Sequence, residues 1–202
     1  GADVHMPRAG LDQQIVLQAA AELADQHGLD ELTLAMLAQK LGIRTPSLYN
    51  HVRGLPELRK KLAVYGLNKL RDALTRAAIG KSGDDAVRAM AEAYIAFARE
   101  HPGLYDATQR SHDRQDAEVQ QAAAEVIEPV LRVLHAYGLE GEAVVHTVRG
   151  FRSLLHGFAS IEQQGGFGMA LDLDTSFRLL VDIFMSGIHS LYANDSSRSD
   201  PE

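Results

Sequence analysis

Thr33 to Val52 reads TLAMLAQKLGIRTPSLYNHV, and this stretch decides the fold. Leu34, Leu37, Ala38 and Leu41 recur at i, i+3, i+4 and i+7, the spacing that gathers side chains on one helical face. Gly42 follows, and glycine ends helices because it tolerates a left-handed backbone. Thr45-Pro46 then opens a second short helix, with Thr45 expected as N-cap and Pro46 as first helical residue. Two helices joined by about 3–4 residues that include a glycine form a helix-turn-helix pattern. That pattern points to double-stranded DNA as a partner as well as to a fold.

In the second helix, Leu48 and Val52 lie four apart and are expected to pack inward with Ile43. Arg44, Thr45, Ser47, Tyr49, Asn50 and His51 are left as candidates for the outer surface. Arginine and asparagine can each make paired contacts to guanine and adenine edges in the major groove. Serine, threonine, tyrosine and histidine suit phosphate oxygens, as do free backbone N–H groups at a helix start. Arg53, Arg59, Lys60 and Lys61 follow and can add nonspecific phosphate attraction. An ordinary helical hairpin with a polar face would show the same bare pattern.

The bulk properties bound the rest. A chain of 202 residues is long enough for a real apolar core, and its 46% apolar content is in the globular range. It has no cysteine, which excludes disulfides and thiolate metal sites. No apolar run approaches the ~18–20 residues of a membrane span, and no signal-peptide pattern is visible, so a cytoplasmic location is expected. Gly1 to His5, ahead of Met6, are read as an appended stretch. The net charge of −7 argues at first against DNA. Residues 6–71, however, hold nine Lys/Arg against six Asp/Glu, while residues 72–202 hold 11 against 20. A basic block on an acidic body is an asymmetry that orients a protein on a polyanion.

Nearly every segment reads as helix, and strand-like alternation is absent. The expected fold is all-α with about nine helices. The first runs about Leu11 to His27, on a stripe of Leu11, Ile15, Val16, Ala19, Ala20, Leu23 and Ala24, and ends at Gly28. After the motif, a long helix covers about Leu55 to Ala78. Gly80-Lys81-Ser82-Gly83 is the clearest linker-like stretch. Further helices are expected over Asp84–Glu100, Leu104–Arg110, Gln115–Ala136 with a kink at Pro129, Gly141–Gln164 and Thr175–Ala193. The division into domains is 6–70, with the motif at 33–52, and 71–194. A polar tail over 195–202 is expected to be disordered.

The first ~65 residues resemble the DNA-binding domain of the TetR family of transcriptional regulators. The residues that carry the resemblance are Gly28, Thr33, Leu37, Ala38, Leu41, Gly42, Ile43, Leu48, Tyr49, His51 and Val52. The resemblance implies a dimer on a partly palindromic operator, controlled by a small-molecule effector bound in the C-terminal domain. Thr33, Arg44, Thr45, Pro46, Ser47, Tyr49, Asn50, His51 and Arg53 together are the candidate DNA-binding set. The resemblance also places a lysine, typically a phosphate contact, where this chain has Leu55. Arg53 or the backbone N–H groups opening the long helix are the candidates to replace it. Gly54, Leu55, Leu58 and Arg59 resemble one subgroup whose C-terminal domain carries a W/L-H-G-like element, matched here by Leu155-His156-Gly157-Phe158.

His156 is therefore a candidate ligand contact, although a core histidine satisfied by a neighbour is the commoner case. Tyr94, Phe97, Tyr105, Phe151, Phe158 and Met169, with the polar Arg149, Arg152 and His146, complete the candidates for an effector site, while most such aromatics are simply core. The last two helices are apolar on more than one face, which calls for two packing surfaces. Val148, Leu155, Phe177, Val181, Phe184 and Ile188 are the candidates for a dimer interface, and the resemblance implies a four-helix bundle between two copies. The histidines are spread singly, so no metal and no other cofactor is expected. A helical enzyme would need a nucleophile–base pair, paired carboxylates or a metal set, and none has a recognisable motif. A helical protein-interaction module stays open as the alternative, and salt-dependent DNA affinity separates the two.

Overall fold

A computed structural model gives the fold, and the residues it describes are 12–110 and 116–193. Among them there are nine helices and no strand: α1 Gln13–His27, α2 Leu34–Leu41, α3 Thr45–Leu48, α4 Leu55–Ala78, α5 Gly83–Glu100, α6 Pro102–Gln109, α7 Ala117–His135, α8 Gly141–Gln163 and α9 Leu173–Ala193. Leu11, Gln115 and the tail from 194 onward, all named above, lie outside the described residues. The chain forms two compact units, one of residues up to Gly66 with His101–Val119, the other of Leu67–Glu100 with the residues from Gln120. Residues 101–110 and 116–119, which the sequence places with the C-terminal part, group with the unit that carries the motif.

In that first unit each helix has a local reason to start. Asp12 caps α1, its Oδ1 accepting the Ile15 N–H at 2.8 Å. Thr33 caps α2, its Oγ1 accepting the Met36 N–H at 3.2 Å. Gly42 closes α2 at φ 66°, the left-handed conformation that favours glycine. The expected cap of α3 shifts by one residue. Arg44 holds the N-cap conformation without a side-chain cap, and Thr45 and Pro46 are the first two helical residues. Proline fits there because those N–H groups have no partner within the helix. The core includes Val16, Ala20, Leu23, Ala24, Leu32, Leu37, Leu48, Val52, Leu58, Leu62, Leu104 and Tyr105. Ile15, counted in the apolar stripe of α1, is 42% exposed.

The eight residues of α6 lie against α1 and are fastened at both ends. At its start, Asp25 accepts the Leu104 N–H at 2.9 Å and lies 3.1 Å from His101 Nδ1. At its end, Arg110 forks onto both oxygens of Asp30, at 2.7 and 2.9 Å, and also reaches Asp106. Between them, Gly103 permits the approach: a Cβ there would stand 2.0 Å from the Ala24 carbonyl oxygen. Lys60 of α4 is bound to Asp116 at 2.7 Å and Glu118 at 3.2 Å.

The second unit is a packing of α5, α8 and α9, with the later part of α4 and most of α7. Its core includes Met90, Tyr94, Phe97, Leu134, Val148, Phe151, Leu155, Phe158, Phe177, Val181, Met185 and Ile188. Phe158 lies 5.0 Å from Phe177 and 4.9 Å from Phe167 of the α8–α9 loop, centre to centre. Arg99 brackets that loop by binding Glu162 before it and Asp174 after it. Pro129 lies inside the continuous span of α7.

Candidate nucleic-acid interface

Leu48 and Val52 are 0% and 1% exposed, so α3 is held from beneath by two apolar pegs, as the spacing predicted. Ile43 is half-buried beside them. With the inner face fixed, the opposite face carries Arg44, Pro46, Ser47, Tyr49 and Asn50 outward, while Thr45 and His51 are half-buried. Tyr49 is 55% exposed, far more than a tyrosine serving the core. The helix proper is one turn, and the chain continues coiling through Val52 by backbone bonds such as His51 N–H to Leu48 O at 2.8 Å. Thr33 is exposed, and its hydroxyl, having accepted the cap bond, still has a proton to donate to a phosphate.

The electrostatics of this unit differ from the basic block read along the sequence. Lys69 and Arg71 fall in the other unit, and residues 101–119 bring carboxylates in. The described residues of the first unit carry seven Lys/Arg against nine Asp/Glu, a net charge of −2. What favours a polyanion is local. Residues 33–53 contain Lys40, Arg44 and Arg53 and no Asp or Glu. Lys40 is engaged by Glu22 at 2.9 Å, and Lys60 by Asp116 and Glu118. Several carboxylates are likewise taken up: Asp30 by Arg110, and Asp116 by Lys60, each held below the usual carboxylate range by its partner's donated hydrogen bonds.

Glu57, which the sequence reading did not single out, accepts the Arg53 N–H at 2.5 Å and lies 3.5 Å from Arg53 Nε. The Arg53 N–H bond is the main reason its carboxyl lies below the usual range. A glutamate as the third residue of a helix is the available signal, since that is where a side chain reaches back to a free N–H.

The candidates for an effector site are spread more widely. Tyr105 belongs to the first unit, and the others lie in the second. Tyr94, Phe97, Phe151 and Phe158 are buried in the core of that unit, whereas Arg149, Arg152 and His146 are exposed, as is Met169. His156 is half-buried, and burial, then the nearby Arg152 charge, pushes its imidazole below the ordinary value, so it is neutral near pH 7. A recess of about 60 Å³ lies between α5 and α9, lined by Arg88, Glu92, Phe177, Arg178, Val181 and Asp182. Of the dimer candidates, Val148, Leu155, Phe177, Val181 and Ile188 are buried within the chain, and Phe184 is half-buried against Phe151. The apolar side chains that α8 and α9 leave exposed are Val145, Ile161, Leu179, Ile183 and Leu191. Among the described residues no cluster of His, Asp or Glu could hold a metal ion, and no helix is long and apolar enough to cross a membrane.

A capped helix, a glycine turn and an acid-free outward helix, in a chain whose described residues are helical and without strands, are the parts of a helix-turn-helix DNA-binding domain. Residues 16–53 match the model of bacterial regulatory proteins of the tetR family, and residues 87–184 match a tetracyclin repressor-like C-terminal domain. The chain is 39% identical over 183 residues to the uncharacterized HTH-type transcriptional regulator YobS of Bacillus subtilis (strain 168), covering 90% of this chain and 95% of that one. It is 38% identical over 168 residues to an uncharacterized HTH-type transcriptional regulator of Mycobacterium tuberculosis, covering 83% of this chain and 76% of that one. A possible TetR family transcriptional regulator from Streptomyces coelicolor A3(2) has a similar structure, with a TM-score of 0.70 at 17% identity over 89% of this chain and 100% of that one. The chain belongs to the TetR family.

Proposed function

We propose that this transcriptional regulator is a repressor that binds a partly palindromic operator as a homodimer in the cytoplasm and leaves it when a small-molecule effector binds the C-terminal unit. The observation that carries the reading is the outward face of α3. Arg44, Ser47, Tyr49 and Asn50 stand exposed over the buried Leu48 and Val52, in a stretch without one carboxylate. Arg44 and Asn50 are the base-reading candidates, because both can make paired contacts in the major groove. Thr33, Thr45, Pro46, Ser47, Tyr49, His51 and Arg53 set the register on sugar and phosphate. Two copies would present two such faces about one helical turn apart, roughly 34–36 Å, or a multiple of it.

Support for the dimer is the outer apolar surface of α8 and α9. Leu179 and Ile183 are 57% and 69% exposed, one turn apart on α9. Gly157 and Gly187 have no atom within 4 Å of where a Cβ would sit, so neither glycine is required by packing inside the chain. The buried candidates Val148, Leu155, Phe177, Val181 and Ile188 would then shape that surface from beneath. For the effector, Tyr94, Phe97, Phe151, Phe158, Arg149, Arg152 and His156 remain the residues to test. An effector that favours the released state tenfold shifts the equilibrium by about 1.4 kcal/mol.

The test is selection of bound sequences from random DNA, followed by anisotropy titrations of the recovered duplex. A recovered sequence with inverted half-sites, bound with steep salt dependence, is the expected result. Binding that does not change with salt would return the chain to the interaction-module reading.

A further inference from the structure

Arg53 ends the acid-free stretch, and its side chain is 90% exposed. Of the cations in or just beyond that stretch, Lys40 is drawn to Glu22 and Lys60 to Asp116 and Glu118. Arg53 is treated differently. Glu57 binds its backbone N–H at 2.5 Å, which fixes where the residue leaves the main chain. The other oxygen of the same carboxylate faces Nε at 3.5 Å. A guanidinium approached from its Nε side keeps both terminal nitrogens outward, with four N–H groups in the planar fork that matches a phosphate. Glu57 itself is only 25% exposed and sits in the first turn of α4, so it is the fixed member of the pair. Leu55 and Pro56, at the opening of that helix, bring no charge to the same place, and Pro56 brings no N–H.

We infer that Glu57 is a positioning residue for DNA binding: it holds Arg53 so that the guanidinium meets a backbone phosphate at the edge of the α3 footprint. The inference rests on the DNA-binding reading above. It makes a carboxylate beside a polyanion surface useful, because its charge is spent on the arginine and not shown to the phosphate.

The experiment is a double-mutant cycle on the full chain, with the selected duplex titrated by anisotropy at several salt concentrations. Arg53→Ala should make the log–log salt slope shallower by about one per chain bound, the loss of one phosphate contact. Glu57→Ala should weaken binding about two- to fivefold, the range of an exposed ion pair. Glu57→Gln, which keeps one acceptor oxygen for the Arg53 backbone N–H but turns an amide NH2 toward Nε, should recover only part of that loss. In the Arg53→Ala background, Glu57→Ala should have no further effect. Matching circular-dichroism melts for all variants separate this from loss of fold. An unchanged salt slope in Arg53→Ala, tighter binding in Glu57→Ala, or a Glu57→Ala effect of equal size in both backgrounds overturns the assignment. If the wild-type chain shows no salt-dependent DNA affinity, it is the DNA-binding reading that fails instead.

Discussion

The unit that carries α1 to α3 keeps most of its large apolar side chains inside and presents polar ones, whereas the C-terminal unit carries apolar side chains on both its inner and outer faces. The first can therefore be complete as a fold and still need DNA as a partner. The second leaves Leu179, Ile183 and Leu191 in water, which asks for a protein surface instead. The two also differ in how glycine is used. Gly103 in α6 stands where a Cβ would meet the Ala24 backbone, while Gly157 in α8 faces open space. The same change, glycine to alanine, should then have opposite results. Gly103→Ala must push α6 off α1 and should cost about 3 kcal/mol or more, since overpacking against backbone cannot relax by a rotamer change. Gly157→Ala should leave the stability of the single chain unchanged or raise it by about 0.5–1 kcal/mol, the helix preference of alanine. Thermal melts of the two variants decide it, and equal losses would mean that α6 is not seated as described.

The outer face of the C-terminal unit gives the next largest effect. Replacing Leu179 by Glu and Ile183 by Lys should leave the helical circular-dichroism signal intact and shift the chain to the monomer in sedimentation. Each position occurs twice in a symmetric interface, so losing ~1.5 kcal/mol of burial per side chain weakens the dimer about 100-fold per position. Leu155→Ala should do the reverse, lowering unfolding stability by about 2–5 kcal/mol with dimerisation preserved in the folded fraction. A monomeric Leu155→Ala protein that is still fully folded would move the interface inward, to the buried set.

On the reading surface, Arg44→Ala and Tyr49→Ala should weaken operator affinity without altering either melt. For Arg44 the expected loss is about 1–3 kcal/mol if it reads a base, with relaxed preference at one position of the selected sequence. For Tyr49 a uniform loss across sequences is expected, because a phosphate contact carries no sequence information. Unchanged affinity in both variants would remove α3 from the interface.

The same comparison explains what could be read without the structure. The motif is local: Leu34 to Val52 contains its own periodicity, its glycine turn and its pegs, so Leu48 and Val52 could be placed inside from spacing alone. In α9 the spacing predicts an apolar stripe of Phe177, Leu180, Val181, Phe184, Ile188 and Leu191, widened by Leu179, Ile183 and Met185. A continuous stripe is what a helix turns toward its own core, and Phe177, Val181 and Ile188 are buried there, while Leu191 at its end is exposed. The outer face is the broken one, Leu179 and Ile183 followed by Ser186 and Gly187, and periodicity ranks it second. The attachment of α6 was not legible at all. Arg110 and Asp30 are 80 residues apart, and Asp25 and Leu104 are 79 apart. Charge summed along the chain misled for the same reason, since it assigned Lys69 and Arg71 to one unit and the carboxylates of residues 101–119 to the other.

The smallest effect concerns how the C-terminal unit is tied together at one end. Asp84, at the start of α5, accepts the Tyr137 O–H at 2.5 Å and lies 2.9 Å from His189 Nε2 in α9. The Tyr137 hydroxyl first, then His189, holds the Asp84 carboxyl below the usual range, against the opposing effect of burial. Burial and the Asp84 carboxylate push the Tyr137 hydroxyl up, so it remains a donor throughout the neutral range. Because the folded chain binds the Asp84 proton less tightly than the unfolded chain, its stabilisation is fully present above the ordinary aspartate value of about 3.9 and is lost as pH falls through the lower, folded value. Asp84 is 35% exposed, so solvent limits the effect to at most about 1 kcal/mol. Asp84→Asn should therefore unfold at slightly lower urea concentration than the wild type at pH about 7, and the gap should be smaller at pH about 3. A gap of equal size at both values would mean that the carboxylate acts through packing and not through its charge.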